Sequence, residues 1–309
     1  MAPKTAQAQP SWPERPPTLV VPFPGGNASD ILARIVAERL GERLGQRFVI
    51  DNRPGAGGNI GTRHAAQQPR DGYTFLFGAS GPLAINRSLF DNLGYDPVRD
   101  LEPIGMVAMT TNVLAVGRHF AARSVSDYIA LARRDPGRLT YGSVGNGSSQ
   151  HLAGVLFGEL AGVELTHVPY RAAAQLVPDL VTGRLDSSFQ LIPNMRAQLR
   201  SGDVRALAVM AEQRLALLPE VPTMEEAGVA GALSAGWFAL MAPRGIPASI
   251  GERMREELRI AMAEPELRRR LTEAGGEPAY LDAEATALFI EQEAERWGAV
   301  IRRRGIKPD

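Results

Sequence analysis

The chain has 309 residues, and its 34 Lys plus Arg are balanced by 34 Asp plus Glu; it lacks the basic field that a nucleic-acid partner requires, and 6% aromatic residues leave little for base stacking. There is no cysteine, which excludes disulfides, thiolate metal sites and a cysteine nucleophile. The 44% hydrophobic and 22% charged shares belong to a globular chain of one large domain or two smaller ones, but 32 Gly and 23 Pro exceed an average combined share of roughly 12% and demand many tight connections.

No stretch approaches the 18 consecutive apolar residues of a membrane span. Met1 to Pro17 reads as a disordered lead-in, and Ala6-Gln7-Ala8-Gln9 has the small-residue spacing of a signal-peptidase site, which suits a trimmed secreted chain as well as an untrimmed floppy terminus. Thr18 to Phe23 is a β-branched apolar run, followed by the turn Pro24-Gly25-Gly26-Asn27-Ala28-Ser29-Asp30 and a stretch with apolar residues every three or four positions. That order is strand, glycine turn, helix. It repeats with a strand at Arg47 to Asp51, a glycine turn to Gly61 and a short helix at Thr62 to Gln68, then with a strand at Tyr73 to Phe77 and a loop at Gly78-Ala79-Ser80-Gly81. Three such junctions imply a mostly parallel α/β sheet whose loops open at its carboxyl edge.

From Leu101 a long strand-like stretch follows, and its interruption at Met109 to Asn112 suggests passage into a second unit. There the pattern predicts helices over Ser126 to Arg134, Gln150 to Leu160 and Ala172 to Thr182. It predicts strands over Leu139 to Gly142, Leu165 to Val168, Leu185 to Leu191 and Ala206 to Met210. Gly236 to Ala242 offers the return crossing, and Pro247 to Ala263, Pro265 to Ala274 and Asp282 to Arg304 read as amphipathic helices.

The Gly25-Gly26-Asn27 turn aims unpaired N–H groups and the positive end of a helix at its occupant, which is anion-binding geometry. Asn27 is the expected N-cap with Asp30 at the third helical position, and a bulky residue at Gly26 is expected to block a ligand. The turn is neither GxGxxG nor GxxxxGK[ST], so no nucleotide cofactor is implied. Gly145-Asn146-Gly147-Ser148 makes a fourth such loop. His64, His119, His151 and His167 show no metal-ligand spacing and read as surface or capping residues. Ser80 is a better ligand hydroxyl than a nucleophile, and no acidic pair suits general acid/base work. Phe23, Phe77, Trp237 and Phe238 are expected to pack at the sheet edge, and Arg53 to sit in a solvated salt bridge.

In their order, PFPGGNASDILARIVAERLGERLGQRFVIDNRPGAGGNIG, DGYTFLFGASGPLAIN, YGSVGNGSSQHLAGVLF, HVPYRAAAQLVPDLVTGRLD and LPEVPTMEEAG resemble the tripartite tricarboxylate transporter substrate-receptor family, also called the Bordetella uptake gene family. The resemblance runs from about Pro16 to the C-terminus. It implies an α/β fold of two lobes, the type II periplasmic-binding-protein or Venus flytrap arrangement, with one lobe from residues 15–108 and 236–309, the other from 109–235, and 1–14 disordered. It further implies a periplasmic, monomeric receptor, its signal peptide absent from this chain, that closes on a small carboxylic acid. Such a receptor delivers its ligand to a permease of one large and one small membrane subunit, with no catalysis, metal or cofactor. The lobes would close about hinges at Met109 to Asn112 and Ser234 to Trp237.

The resemblance assigns ligand contact to Phe23, Pro24, Gly25, Gly26 and Asn27 in a first loop, Ala56, Gly57, Gly58 and Asn59 in a second, and Ser80 and Gly81 in a third. Gly145, Asn146, Gly147 and Ser148 follow in the second lobe, with Tyr170 and Arg171 at its edge. Arg171-Ala172-Ala173-Ala174 departs from the family's glycines, which implies a stiffer loop. Gln190, also assigned to the ligand site, stands where an acidic residue is common, which points away from amino acids and toward a plain carboxylic acid, aromatic or a short di-acid. A carboxylate sensor docking to a signalling ectodomain and an enzyme on the same scaffold are the alternatives.

Overall fold

A computed structural model describes residues 12–306; Ala6-Gln7-Ala8-Gln9 and the final three residues lie outside the described residues. Within the lead-in expected to be disordered up to Pro17, the described residues from Trp12 on are packed: the Trp12 ring meets Phe75 edge-on at 6.2 Å, and the Arg15 guanidinium lies 3.9 Å above the Tyr73 ring.

The first series comprises β1 (Thr18–Val21), α1 (Ala28–Leu44), β2 (Val49–Asn52), α2 (Asn59–Ala66), β3 (Thr74–Ala79) and α3 (Asn86–Leu89). Leu32, Val36 and Leu40 recur at helical spacing and are buried, which fixes the inner face of α1; Gly45, with φ 74°, ends it in the left-handed conformation. β1 lies between β2 and β3, parallel to both. Next comes β4 (Leu101–Gly117), which shows no break. Its residues as far as Thr111 pair with the returning strand β9 (Ala235–Pro243), and from Asn112 they pair with strands of the second series, so the predicted interruption is a change of partner within one strand.

The second series is α4 (Val125–Arg134), β5 (Thr140–Ser143), α5 (Ser149–Ala161), β6 (Thr166–Pro169), α6 (Ala173–Thr182), β7 (Ser187–Leu191), α7 (Ile192–Ser201) and β8 (Val204–Val209). The chain returns through β9 (Ala235–Pro243) and ends in α8 (Ala248–Ala263), α9 (Pro265–Glu273), β10 (Glu277–Leu281) and α10 (Ala283–Arg304). The strand order is β2-β1-β3-β9-β4-β7-β5-β6, with β8 and β10 also on β4. A mostly parallel sheet is therefore only half of the answer. Parallel trios stand at both ends, but β9 is antiparallel to β3 and β4, and β4 is antiparallel to β7, β8 and β10. The cause is topological, because β9 enters the first trio from the second and runs against it.

The result is a two-lobed α/β fold of the type II periplasmic-binding-protein kind. One core packs α1 and α8 on β3 and β9 through Leu32, Phe75, Phe77, Phe238 and Leu258. Another joins Leu114, Tyr128, Phe157 and Phe189. Fully burying such side chains contributes roughly 1.5–3 kcal/mol each. α10 reaches both lobes: Ile290 and Ala294 pack with Met106 and Met241, while Trp297 and Ile301 join the second core. Phe77, Trp237 and Phe238 are buried on the adjacent strands β3 and β9 in the middle of the sheet order, away from its outer strands, because both of these strands are covered on each face.

Candidate functional site

The turns after β1, β3, β5 and β7 face one another across the junction of the lobes. Between them lies a cavity walled by Phe23, Asn27, Ala28, Ser29, Ala79, Ser80 and Gly81 from the first lobe. Val144, Ser148, Ser149, Gln150, Leu191 and Asn194 close it from the second, with Gly236 and Phe238 of β9 behind. Its volume open to water centres is about 30 Å³, against roughly 10–15 Å³ for one water, so a ligand enters by way of the opened cleft. Among the described residues, none with a titratable side chain lines it. Apolar walls and neutral donors suit a ligand with a hydrocarbon body and anionic ends.

Each part of the wall follows from local sequence. Asn27 has the extended backbone of an N-cap (φ −77°, ψ 164°), but its side chain does not cap its own helix. Asp30 accepts the Gly26 N–H at 2.9 Å in its place. Burial opposes ionisation of Asp30, yet hydrogen bonds from Arg34, Gly26 and Asn52 outweigh it and hold the carboxyl below its usual range. Thus Asp30 braces the turn without using the helix's own first N–H groups, of which that of Ala28 goes to Asn194 Oδ1 at 2.6 Å. Ser29, in the first turn of α1, is buried, and its Oγ has no hydrogen-bond partner. Ser148 caps α5 by accepting the His151 N–H at 3.3 Å, and donates to the Gly145 carbonyl at 2.6 Å.

Of the residues singled out from sequence, Phe23, Asn27, Ser80, Gly81 and Ser148 line the cavity. Pro24 is half-buried, and Gly25 and Gly26 are exposed at the mouth of the turn. Gly26 has φ 80°, and a Cβ there would meet nothing within 4 Å; the position calls for handedness, not for close approach. Ala56 is exposed. Gly58 underlies the Phe23 ring, 3.2 Å from a would-be Cβ. The Asn59 side-chain oxygen Oδ1 accepts from Asn86 Nδ2 at 2.6 Å and from the Tyr95 hydroxyl at 3.1 Å, and so stiffens the second turn.

Gly57, Gly81 and Gly147 mark direct contact between the lobes. A Cβ on Gly57 would stand 2.6 Å from the Asn146 carbonyl oxygen, one on Gly81 2.9 Å from that of Gly147, and one on Gly147 would collide with Asn86 Oδ1. Gly145, with φ 111°, shapes the same loop. Tyr170 donates to Asp179 at 3.0 Å, and Arg171 is exposed. Gln190 is fully buried behind the wall; its Oε1 accepts from Gln150 at 3.0 Å, Asn194 at 2.6 Å and the Leu191 N–H at 2.9 Å, while Nε2 has no partner.

Sequence reasoning missed Ser29, Ser149, Gln150 and Asn194. Ser29 lay inside the quoted turn, and Ser149 and Gln150 open the helix after the fourth loop. Asn194 was hidden because α7 was not anticipated, although Pro193 in its first turn is a recognised start signal. Of the histidines, buried His151 takes the expected capping part, its Nδ1 accepting the Gly147 N–H at 3.4 Å just ahead of α5; half-buried His167 stacks on it at 4.2 Å behind the Gly145 loop and sets Nε2 2.7 Å from Ser143 Oγ, a packing role that the sequence did not suggest. Burial first, then the charge of His151, push the His167 pKa down to about 3, so the ring is neutral. Among the described residues no group of three or more His, Asp or Glu side chains could hold a metal, and no helix is long and apolar enough to cross a membrane.

Residues 32–306 match the model of the tripartite tricarboxylate transporter family receptors. A UPF0065 protein in the tcbD-tcbE intergenic region of Pseudomonas sp. (strain P51) is 39% identical, the match covering 96% of this chain and 88% of that protein. Among solved structures, R. palustris Rpa4515 with adipate is 40% identical with a TM-score of 0.93, over 96% of this chain and 100% of that one. The periplasmic binding protein BugD is 30% identical with a TM-score of 0.90, again over 96% and 100%. The chain belongs to the tripartite tricarboxylate transporter receptor family.

Proposed function

We propose that this receptor works in the periplasm, closes on a small unbranched di-acid of the adipate class and presents it to a permease of one large and one small membrane subunit. The observation that carries the reading is the cavity itself, with no titratable side chain in its wall and the unpartnered Ser29 hydroxyl at the N-terminal end of α1. One carboxylate takes the α1 end together with Ser29 and Ser80; the other takes the hydroxyls and N–H groups at the start of α5; the methylenes lie along Phe23, Phe238 and Leu191. Helix ends and hydroxyls stabilise an anion that would be costly to bury alone. The family is one of receptors, and a wall of hydroxyls, amides and apolar side chains suits binding and release of the ligand unchanged. The 40% identical relative with adipate supports the di-acid.

The lobes divide at the crossings, residues 15–108 and 236–309 against 109–235, and rotate about Met109–Asn112 and Ser234–Trp237. There the Asn112 side chain donates to Ser234 Oγ at 3.0 Å. The test is calorimetry with adipate, malate, benzoate and aspartate on protein shown ligand-free by native mass spectrometry. Heat with adipate and none with aspartate is expected; the reverse refutes the assignment.

A further inference from the structure

Neither α1 nor α6 is capped by its own N-cap side chain: Asn27 makes no such bond, and Ala172 has no polar group to make one. Each receives a cap from across the cleft. Asn27 Oδ1, from the first lobe, accepts the N–H of Ala173, the first residue of α6, at 3.2 Å. Asn194 Oδ1, from the second lobe, accepts the N–H of Ala28, the first residue of α1, at 2.6 Å. The exchange is reciprocal, and Asn27 is 4% exposed. The Asn194 amide is held in the required orientation because its Nδ2 donates to Gln190 Oε1 at 2.6 Å. An N-cap oxygen satisfies one of the four N–H groups that a helix start leaves unpaired. Here that satisfaction exists only while the lobes are together.

We propose that Asn27 and Asn194 form a closure latch, a pair of reciprocal helix caps that gives the ligand-free receptor a standing closed population, with Gln190 as the residue that positions Asn194. Opening the cleft breaks both bonds at once and hands both helix starts to water. Closed-form population multiplies directly into apparent affinity, because a ligand that needs the closed form binds in proportion to the fraction already there. The latch itself does not depend on the carboxylate reading; only its effect on affinity does.

The chain contains no cysteine, so Arg47→Cys and Glu164→Cys, at exposed positions of the two lobes, accept one spin label each, and pulsed electron resonance reads the distance between lobes without ligand. Asn27→Ala and Asn194→Ala are each expected to lower the closed-to-open ratio about fivefold, the ordinary size of a helix cap. The apparent Kd for adipate should rise by up to the same factor, with circular dichroism reporting an unchanged fold. Wild-type protein with no closed population, or alanine variants with the wild-type distance distribution, overturns the latch. A wild type that closes and loses closure in the alanine variants, but ignores adipate, leaves the latch standing and sinks the di-acid reading.

Discussion

Replacing Gly81 with alanine perturbs closure almost alone. Gly81 does not have a positive φ, so alanine suits its backbone, and a methyl in place of one hydrogen lowers the entropy of the unfolded chain. In the closed structure that methyl stands 2.9 Å from the carbonyl oxygen of Gly147 in the opposite lobe and 3.4 Å from that of Gly57. Both are backbone atoms, which cannot swing aside as a flexible side chain does. Overpacking of this kind costs roughly 1–3 kcal/mol, and in the open form the Gly147 contact is absent, so the cost falls on closure. At 1.4 kcal/mol per decade the affinity for adipate should fall about 5- to 150-fold, while ligand-free thermal unfolding stays within a few degrees of wild type. Titration calorimetry across di-acids of increasing length checks the cause. A loss common to all lengths marks a closure defect; a loss confined to the longest acids marks a clash with ligand and refutes the lobe-contact account, as does unchanged affinity.

Ser29→Ala removes the unpartnered hydroxyl of the cavity and should weaken adipate about tenfold, the worth of a hydrogen bond to a charged group, with stability unchanged; equal affinity by calorimetry removes Ser29 from the site. Glu293 Oε2 accepts from the indoles of Trp237 at 3.0 Å and Trp297 at 3.1 Å, both buried. Glu293→Ala leaves two buried donors unpaired and should cost roughly 3 kcal/mol of unfolding stability, Glu293→Gln less; urea unfolding that shows under about 1 kcal/mol for alanine contradicts this. His167 stays neutral in the fold down to about pH 3, whereas the unfolded ring takes a proton near 6.5. Its contribution is therefore complete above pH 7 and is lost progressively as pH falls from 6.5 toward 3. The urea midpoint of wild type should drop more between pH 7 and pH 4.5 than that of His167→Gln, and equal drops exclude this role.

The strand, glycine turn and helix units were legible because their signals are local: β-branched runs, glycine at positive φ and apolar residues every three or four positions. Strand direction in the middle of the sheet was not, since β9 runs antiparallel only because of where the chain has been before Ala235. α7 escaped for a different reason: its sequence is polar, Leu191 gives it no side-chain cap, and Met195 (φ −133°) kinks it. β10 carries Pro278 and pairs with β4 through a register shift, so it offers little period-two pattern. At the site, glycine composition marked the correct loops but not what each glycine faces. Gly26 faces open space, and Gly57 and Gly81 face the other lobe; the distinction depends on closure, which leaves no trace in the sequence. His151 and His167 belong to α5 and β6, and only the packing of that helix on its sheet joins them.

The neutral wall of the cavity gives the zero net charge a mechanical meaning. The arginines of the described residues are spent largely on surface ion pairs such as Arg269 with Glu266 and Glu273, which are worth little individually, and none enters the cavity. A buried arginine would hold a carboxylate strongly, and parting from it would leave an uncompensated buried charge. Hydroxyls, amides and helix ends stabilise the same carboxylate only while closure excludes water, and water replaces them without penalty once the lobes part. Affinity in such a receptor is then set by the balance between open and closed forms more than by any single contact. In the proposed latch that balance rests on the cross-cleft caps of Asn27 and Asn194 and on the bare backbone contact at Gly57, Gly81 and Gly147, residues that hold the lobes together as well as framing the site. A permease that draws the lobes apart needs to supply only the free energy of closure to empty the site.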